Sequence, residues 1–176
     1  VAVKILDPDG NEVEPGVVGE LFSRSPYQFE GYYKMPETNR DAFRGEWFSA
    51  GDMATYDNEG YYSIVDRKKD MIISGGENIY PTEIDDILSK HPKVLEAAVI
   101  GVPDEKWGEA VKAVVILKKD AQATAEELIR YCKDRLAGYK VPKSVDFVTE
   151  MPKSPTGKIL KRQIREAHWK DFDVKI

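Results

Sequence analysis

The sequence predicts an α+β fold, a small mixed sheet with packed helices, preceded by a short β-rich segment. Three observations carry this. Short apolar runs bounded by Gly, Pro, Asn or Asp recur along the chain, as strands between turns do. Runs with helical spacing occur only in the second half, where they interleave with strands. Between the two halves lies a charged block, Asp66-Arg67-Lys68-Lys69-Asp70, flanked by β-type apolar residues on both sides.

Residues 1–6 form the first expected strand, closed by the turn Asp7-Pro8-Asp9-Gly10, with Pro and Gly where a β-turn takes them. Residues 19–24 and 61–65 are further strands. Between them, Gly31-Tyr32-Tyr33-Lys34-Met35-Pro36-Glu37-Thr38 and Trp47-Phe48-Ser49-Ala50-Gly51-Asp52 are aromatic and turn-rich. Residues 71–74 are a short strand ending in Gly75 and Gly76. Residues 81–90 are helical, because Pro81 suits a first turn and Ile84, Ile87 and Leu88 share one face; Pro92 stops the run. Residues 94–100 and 111–117 are Val- and Ile-rich strands. Thr124-Ala125-Glu126-Glu127 has the pattern of a capping box and opens a helix reaching to Gly138. Residues 145–148 form a last strand and 159–169 a last helix.

Composition narrows the function classes. The 176 residues suit one ordinary domain or two small ones, and 41% apolar content suits a packed protein. No run approaches a membrane span, and residues 1–6 are too short for a signal peptide. The expected location is cytoplasmic. The start at Val1, inside a strand, suggests a piece of a longer protein. The single Cys132 rules out an intrachain disulfide and a cysteine metal cluster, and its place on an apolar helix face points to core packing. His91 and His168 lack a partner at ligand spacing, so no metal site is expected. The net charge of −5 resides in residues 1–69, with 8 basic and 13 acidic side chains. Beyond Glu150 there are 7 basic and 3 acidic residues, which favours an anionic small ligand near the tail over a nucleic-acid surface.

Pro152-Lys153-Ser154-Pro155-Thr156-Gly157-Lys158 is the most informative segment. Its prolines and glycine exclude a helix or central strand and shape a loop that presents Lys158. By itself it reads as a surface loop with a solvated lysine. By themselves, Gly75 and Gly76 are a tight turn, Asp52 a turn or cap residue, and Trp107 a packing or loop-anchoring residue. The charged block at Lys69 is equally a solvated hairpin turn or a hinge.

Taken in order, four motifs change these readings. Gly31-Tyr32-Tyr33…Thr38, Trp47 to Asp52, Asp66-Arg67…Gly75-Gly76-Glu77-Asn78-Ile79-Tyr80-Pro81-Thr82-Glu83-Ile84 and Pro152…Gly157-Lys158 together resemble the C-terminal portion of the AMP-forming acyl-CoA synthetases. That superfamily is shared with luciferases and peptide-synthetase adenylation domains, and the Gly-Gly-Glu-Asn-Ile form is most like fatty-acid CoA ligases.

The resemblance implies residues 1–68 as a β-rich remnant of a large N-terminal adenylation domain and 69–176 as a mobile C-terminal domain, hinged near Lys69. It implies Lys158 as the adenylation lysine, Asp52 as the ribose carboxylate and Arg67 as its partner. Gly75 and Gly76 would line a pantetheine tunnel, and Trp107 would stack on the adenine of CoA. Tyr139-Lys140-Val141-Pro142 departs from the family's pattern at Val141, which leaves Lys140 or Lys143 for a CoA phosphate. The implied substrates are a small carboxylic acid, ATP with Mg2+, and CoA, with a homodimer left open as the assembly. The Gly-rich phosphate loop and the acyl pocket would lie upstream, so this stretch alone is expected to be inactive. Three other readings stay open: a stand-alone α+β binding or regulatory module, an adenylation domain that loads a carrier protein, and a luciferase-like oxygenase, which nothing in the sequence favours.

Overall fold

The computed structural model describes residues 1–170 and Phe172. The chain divides into two compact units, Val1–Lys69 and Asp70–Ile176. Lys69, the expected hinge residue, is therefore the last residue of the first unit.

The first unit comprises β1 (Ala2–Leu6), β2 (Gly19–Arg24), α1 (Pro36–Ala42), β3 (Phe43–Arg44), β4 (Trp47–Phe48), β5 (Asp52–Tyr56) and β6 (Tyr62–Arg67). Its sheet runs β3-β4-β2-β5-β6, with β1 also antiparallel to β2. Ile5, Leu6, Phe22, Met53 and Ala54 form its buried interior. The aromatic segments close on one another, with Phe29 in edge contact with Tyr32, Phe43 and Phe48 at centroid distances of 5.2, 5.7 and 4.9 Å. Sequence periodicity missed α1 and β5. Helix α1 has only seven residues and none of them is buried, so no apolar stripe marks it. Strand β5 begins at Asp52, immediately after a turn.

The second unit is a mixed sheet between helices. It comprises β7 (Ile72–Ser74), β8 (Glu77–Ile79), α2 (Pro81–Ser89), β9 (Val94–Asp104), β10 (Gly108–Leu117), α3 (Ala125–Lys133), β11 (Ser144–Phe147) and α4 (Lys161–Trp169). Strand β10 pairs antiparallel with β9 and parallel with β11, and touches β7 at Gly108 and Ser74. One face of the sheet packs Ile72, Val99, Val111 and Val115 against Ile84 and Leu88 of α2 and Leu128 and Cys132 of α3. The other face packs Ala98, Ile100 and Val114 against Met151 and Ile164, the latter on α4. The alternation of Ala98, Val99 and Ile100 along β9 serves both faces. Cys132 is fully buried, and burial pushes its thiol up to about 11, as fits a packing residue.

Two boundaries differ from expectation. Helix α3 stops at Lys133 instead of reaching Gly138, because residues 134–136 turn back onto the carbonyls of Arg130 and Cys132, and Gly138–Lys140 opens a separate 3-10 turn. The expected capping box at Thr124 is present: Glu127 N–H donates to Thr124 Oγ1 at 3.2 Å, and the Glu127 carboxylate, lowered in pKa first by Lys93 and in part by the Thr124 N–H, also binds Lys93 Nζ at 2.8 and 3.0 Å. Helix α4 begins at Lys161, since Ile159 is held in a bridge with Lys153.

Candidate functional site

In the first unit, Asp52 and Arg67 come together because their strands place them there. They are directly opposed in the β5–β6 ladder, with Arg67 Nη1 3.0 Å from Asp52 Oδ1 and Nη2 donating to the Ala50 carbonyl at 2.9 Å. The opposition depends on a bulge. Met53 pairs with Asp66 and Ala54 with Ile64, so Val65 is an extra residue in β6. Without it the register would set Asp66, not Arg67, against Asp52, two carboxylates face to face. With it, Asp66 turns inward to a buried position, and Arg67 N–H donates to its Oδ1 at 2.7 Å.

This pair adjoins a cleft of about 500 Å³ in the same unit, lined by residues that include Tyr32, Thr38, Ser49, Gly51 and Arg67. Glu20, which sequence reasoning did not single out, also lines it. Its Oε1 accepts from Ser49 Oγ at 2.7 Å and its Oε2 meets Lys68 Nζ at 2.8 Å. Ser49 Oγ in turn accepts the Gly51 N–H at 3.0 Å, fixing the turn that leads into Asp52. The available signal was a carboxylate in an apolar strand, and it names no partner. A carboxylate, a guanidinium and backbone carbonyls at the mouth of an open cleft suit a polyhydroxylated, anionic ligand: Asp52 can accept two hydroxyl protons, and Arg67 carries fixed donors.

In the second unit, the structure brings Gly75, Gly76 and Trp107 together. The glycines join β7 to β8 with φ of +60° and +86°, the positive values that a two-residue hairpin turn requires. Gly75 N–H donates to the Trp107 carbonyl at 2.8 Å, and a Cβ on Gly75 would lie 2.7 Å from the Trp107 ring. Gly76 faces open space. Asp104 Oδ1 accepts the N–H groups of Lys106 and Trp107, both at 2.9 Å, and so sets the turn that carries the ring. Trp107 is 44% exposed; its indole lies against Gly75, and the Lys106 ammonium stands over the ring at 4.6 Å from the centroid.

Lys158 stands at the end of a closed loop. Ser154 N–H donates to the Lys158 carbonyl at 2.8 Å, and Leu160 N–H to the Pro152 carbonyl at 2.8 Å. Lys158 is exposed, and among the described residues its ammonium enters no ion pair. Lys140 is differently placed, bound to Glu83 Oε2 at 2.6 Å. Among the described residues no group of His, Cys, Asp and Glu could hold a metal ion. Both histidines have neighbours within the second unit. His91 packs edge-on against Tyr131 and accepts the Lys93 N–H at Nδ1, and burial lowers its pKa. His168 lies 3.9 Å from Asp146, and burial lowers its pKa as well.

Comparison with known proteins places this geometry. Residues 83–158 match the AMP-binding enzyme C-terminal domain, a match that ends on Lys158. The chain is 51% identical over 164 residues to a long-chain-fatty-acid–CoA ligase of Yersinia pestis, covering 93% of this chain and 29% of that protein. It is 48% identical to a feruloyl-CoA synthase of Amycolatopsis, covering 93% and 33%. Among solved structures, ATP-bound MatB of Rhodopseudomonas palustris superposes with a TM-score of 0.88 at 38% identity, over 97% of this chain and 34% of that one. The o-succinylbenzoate CoA synthetase of Bacillus subtilis, in complex with its acyl-adenylate, gives 0.85 at 39% identity, over 93% and 33%. The chain spans about a third of the length of these relatives. No described helix is long and apolar enough to cross a membrane. Residues 83–158 carry the AMP-binding enzyme C-terminal domain, and nearly the whole chain is similar to the corresponding third of acyl-CoA ligases.

Proposed function

We propose that this chain is the C-terminal part of an ATP-dependent carboxylate–CoA ligase acting on fatty acids. In the first step a substrate carboxylate oxygen attacks the α-phosphorus of ATP; the acyl–phosphate bond forms and pyrophosphate leaves. In the second, the CoA thiolate attacks the acyl carbonyl carbon and AMP leaves. Negative charge develops on the phosphate oxygens in the first step, and a positioned cation stabilises it. The observation that carries the reading is Lys158: an exposed ammonium without an ion-pair partner among the described residues, on a closed loop, at the last residue of the family match.

Within this reading Asp52 accepts the ribose hydroxyls, and Arg67 orients Asp52 and faces the nucleotide. Residues 1–69 belong to the large adenylation domain, and the second unit turns about Lys69 between the steps. Lys158 serves the first step. Gly75 and Gly76 serve the second, passing the pantetheine arm against bare backbone while Trp107 stacks on the adenine of CoA. The fatty-acid assignment follows the Gly-Gly-Glu-Asn-Ile motif and the curated fatty-acid ligases at 47–51% identity. Magnesium would accompany ATP, but the described residues offer it no ligand set, and none of these roles passes through it.

The test is pyrophosphate release by the full-length parent protein, with and without CoA. Release dependent on a fatty acid, followed by CoA thioester, is expected. Adenylation with transfer only to a carrier protein contradicts the CoA assignment, and no carboxylate-dependent release contradicts the ligase assignment. The present chain alone is expected to form no acyl-CoA.

A further inference from the structure

Three lysines lie within nine residues of the C-terminal loop, and they are treated differently. Lys153 is bound to Glu96 of β9 at 2.6 Å. Lys161, the first residue of α4, is bound to Asp85 of α2 at 2.5 Å, and the same carboxylate accepts the Val99 N–H of β9 at 2.6 Å. Lys158, between them, has no such partner among the described residues. The basic excess of this segment is thus largely spent on anchoring the loop at both ends, and one cation is left over.

The span between the anchors is organised by one side chain. Ser154 Oγ accepts the Lys158 N–H at 3.2 Å and lies 2.8 Å from Thr156 Oγ1. The Ser154 carbonyl accepts the Gly157 N–H at 2.9 Å, and its N–H reaches the Lys158 carbonyl at 2.8 Å. Backbone partners on both sides of Lys158 therefore converge on Ser154, and only the hydroxyl interactions depend on which side chain stands there. A lysine on a flexible stem loses less freedom on engaging a phosphate if its own backbone is already fixed.

We infer that Ser154 is a positioning residue for Lys158: its hydroxyl holds the Lys158 backbone in the conformation that delivers the ammonium, within a loop seated by the Lys153–Glu96 and Lys161–Asp85 pairs. The inference rests on the proposed ligase reading, in which Lys158 acts in the adenylation step alone. The role is distinct from general stability, because the hydrogen bonds of the Ser154 hydroxyl run to Thr156 and Lys158, both exposed residues of the same loop.

The experiment compares wild type, Ser154→Ala, Ser154→Thr and Lys158→Ala in the full-length protein. It measures adenylation, thioester formation from supplied acyl-adenylate, thermal midpoint, and hydrogen exchange of the peptide spanning 152–160. Ser154→Ala is expected to lower kcat of adenylation about three- to tenfold, the worth of one hydrogen bond. KM for ATP, the thioester step and the thermal midpoint stay near wild type. Exchange in the loop quickens, and Ser154→Thr, which keeps the hydroxyl, restores both readouts. Unchanged adenylation in Ser154→Ala, an equal loss in both steps, or unchanged loop exchange overturns the inference while leaving the ligase reading intact. Absence of adenylation in wild type, or full adenylation in Lys158→Ala, overturns the reading and the inference with it.

Discussion

The two candidate groups with opposite charge are built in opposite ways. Asp52 sits at the start of a strand, opposed to Arg67 by ladder register and bound to it at 3.0 Å. Lys158 sits on a loop whose backbone is tied down while its ammonium is left without a partner. A carboxylate that only binds gains from permanent fixation. A cation that must approach a phosphate in one step and withdraw in the next gains from a stiff base and a free tip. The difference suits the proposed two-step chemistry, and it can be broken from either side.

The largest expected effect is at the junction. Lys69→Pro fixes φ at the proposed hinge and removes its N–H. Thioester formation should fall by two orders of magnitude or more while adenylation survives, as read in separate single-turnover assays; equal loss of both steps contradicts the hinge. Next comes the fixed site. Asp52→Ala removes the ribose acceptor and leaves Arg67 without its carboxylate, so KM for ATP in adenylation should rise about tenfold, the worth of one charge-assisted hydrogen bond.

A smaller effect separates the two glycines. Gly75→Ala meets both a positive φ and the Trp107 ring, whereas Gly76→Ala meets only the positive φ. Expected losses are about 2–3 kcal/mol and about 1 kcal/mol, measured by denaturant unfolding. Similar losses would mean that the indole does not press on Gly75. The smallest effect is a pH dependence away from the site. Burial lowers the folded pKa of His91, outweighing the attraction of Glu127. The unfolded chain then binds the proton more readily, so stability falls as pH drops below the unfolded value of about 6.5 and levels off below the folded value. The slope is bounded by one proton, about 1.4 kcal/mol per pH unit, and His91→Gln should flatten it.

Much of this was legible in the sequence, for identifiable reasons. Strands β9 and β10 declare themselves by Val and Ile, α2 by Pro81 with Ile84 and Leu88, and the 152–158 loop by its prolines and glycine. What was hidden depends on register and on distant partners. The extra residue at Val65, which substitutes Arg67 for Asp66 opposite Asp52, leaves no mark in local composition. Glu20 reads as a polar position in a strand until Ser49 and Lys68 arrive from 29 and 48 residues away. Three adjacent-looking lysines, Lys153, Lys158 and Lys161, cannot be ranked without knowing that Glu96 and Asp85 claim two of them. Motif resemblance pointed to Lys158, and of these three lysines it alone enters no ion pair among the described residues.

The division of labour between a fixed carboxylate and a free lysine is tested most directly by Lys158→Ala in the full-length protein, with the two half-reactions measured separately. Adenylation should fall about 10²- to 10³-fold, the cost of removing one charge-stabilising group. Thioester formation from supplied acyl-adenylate should stay within about twofold of wild type. Loss of both half-reactions to the same degree, or retention of adenylation, would contradict the assignment of Lys158 to the first step.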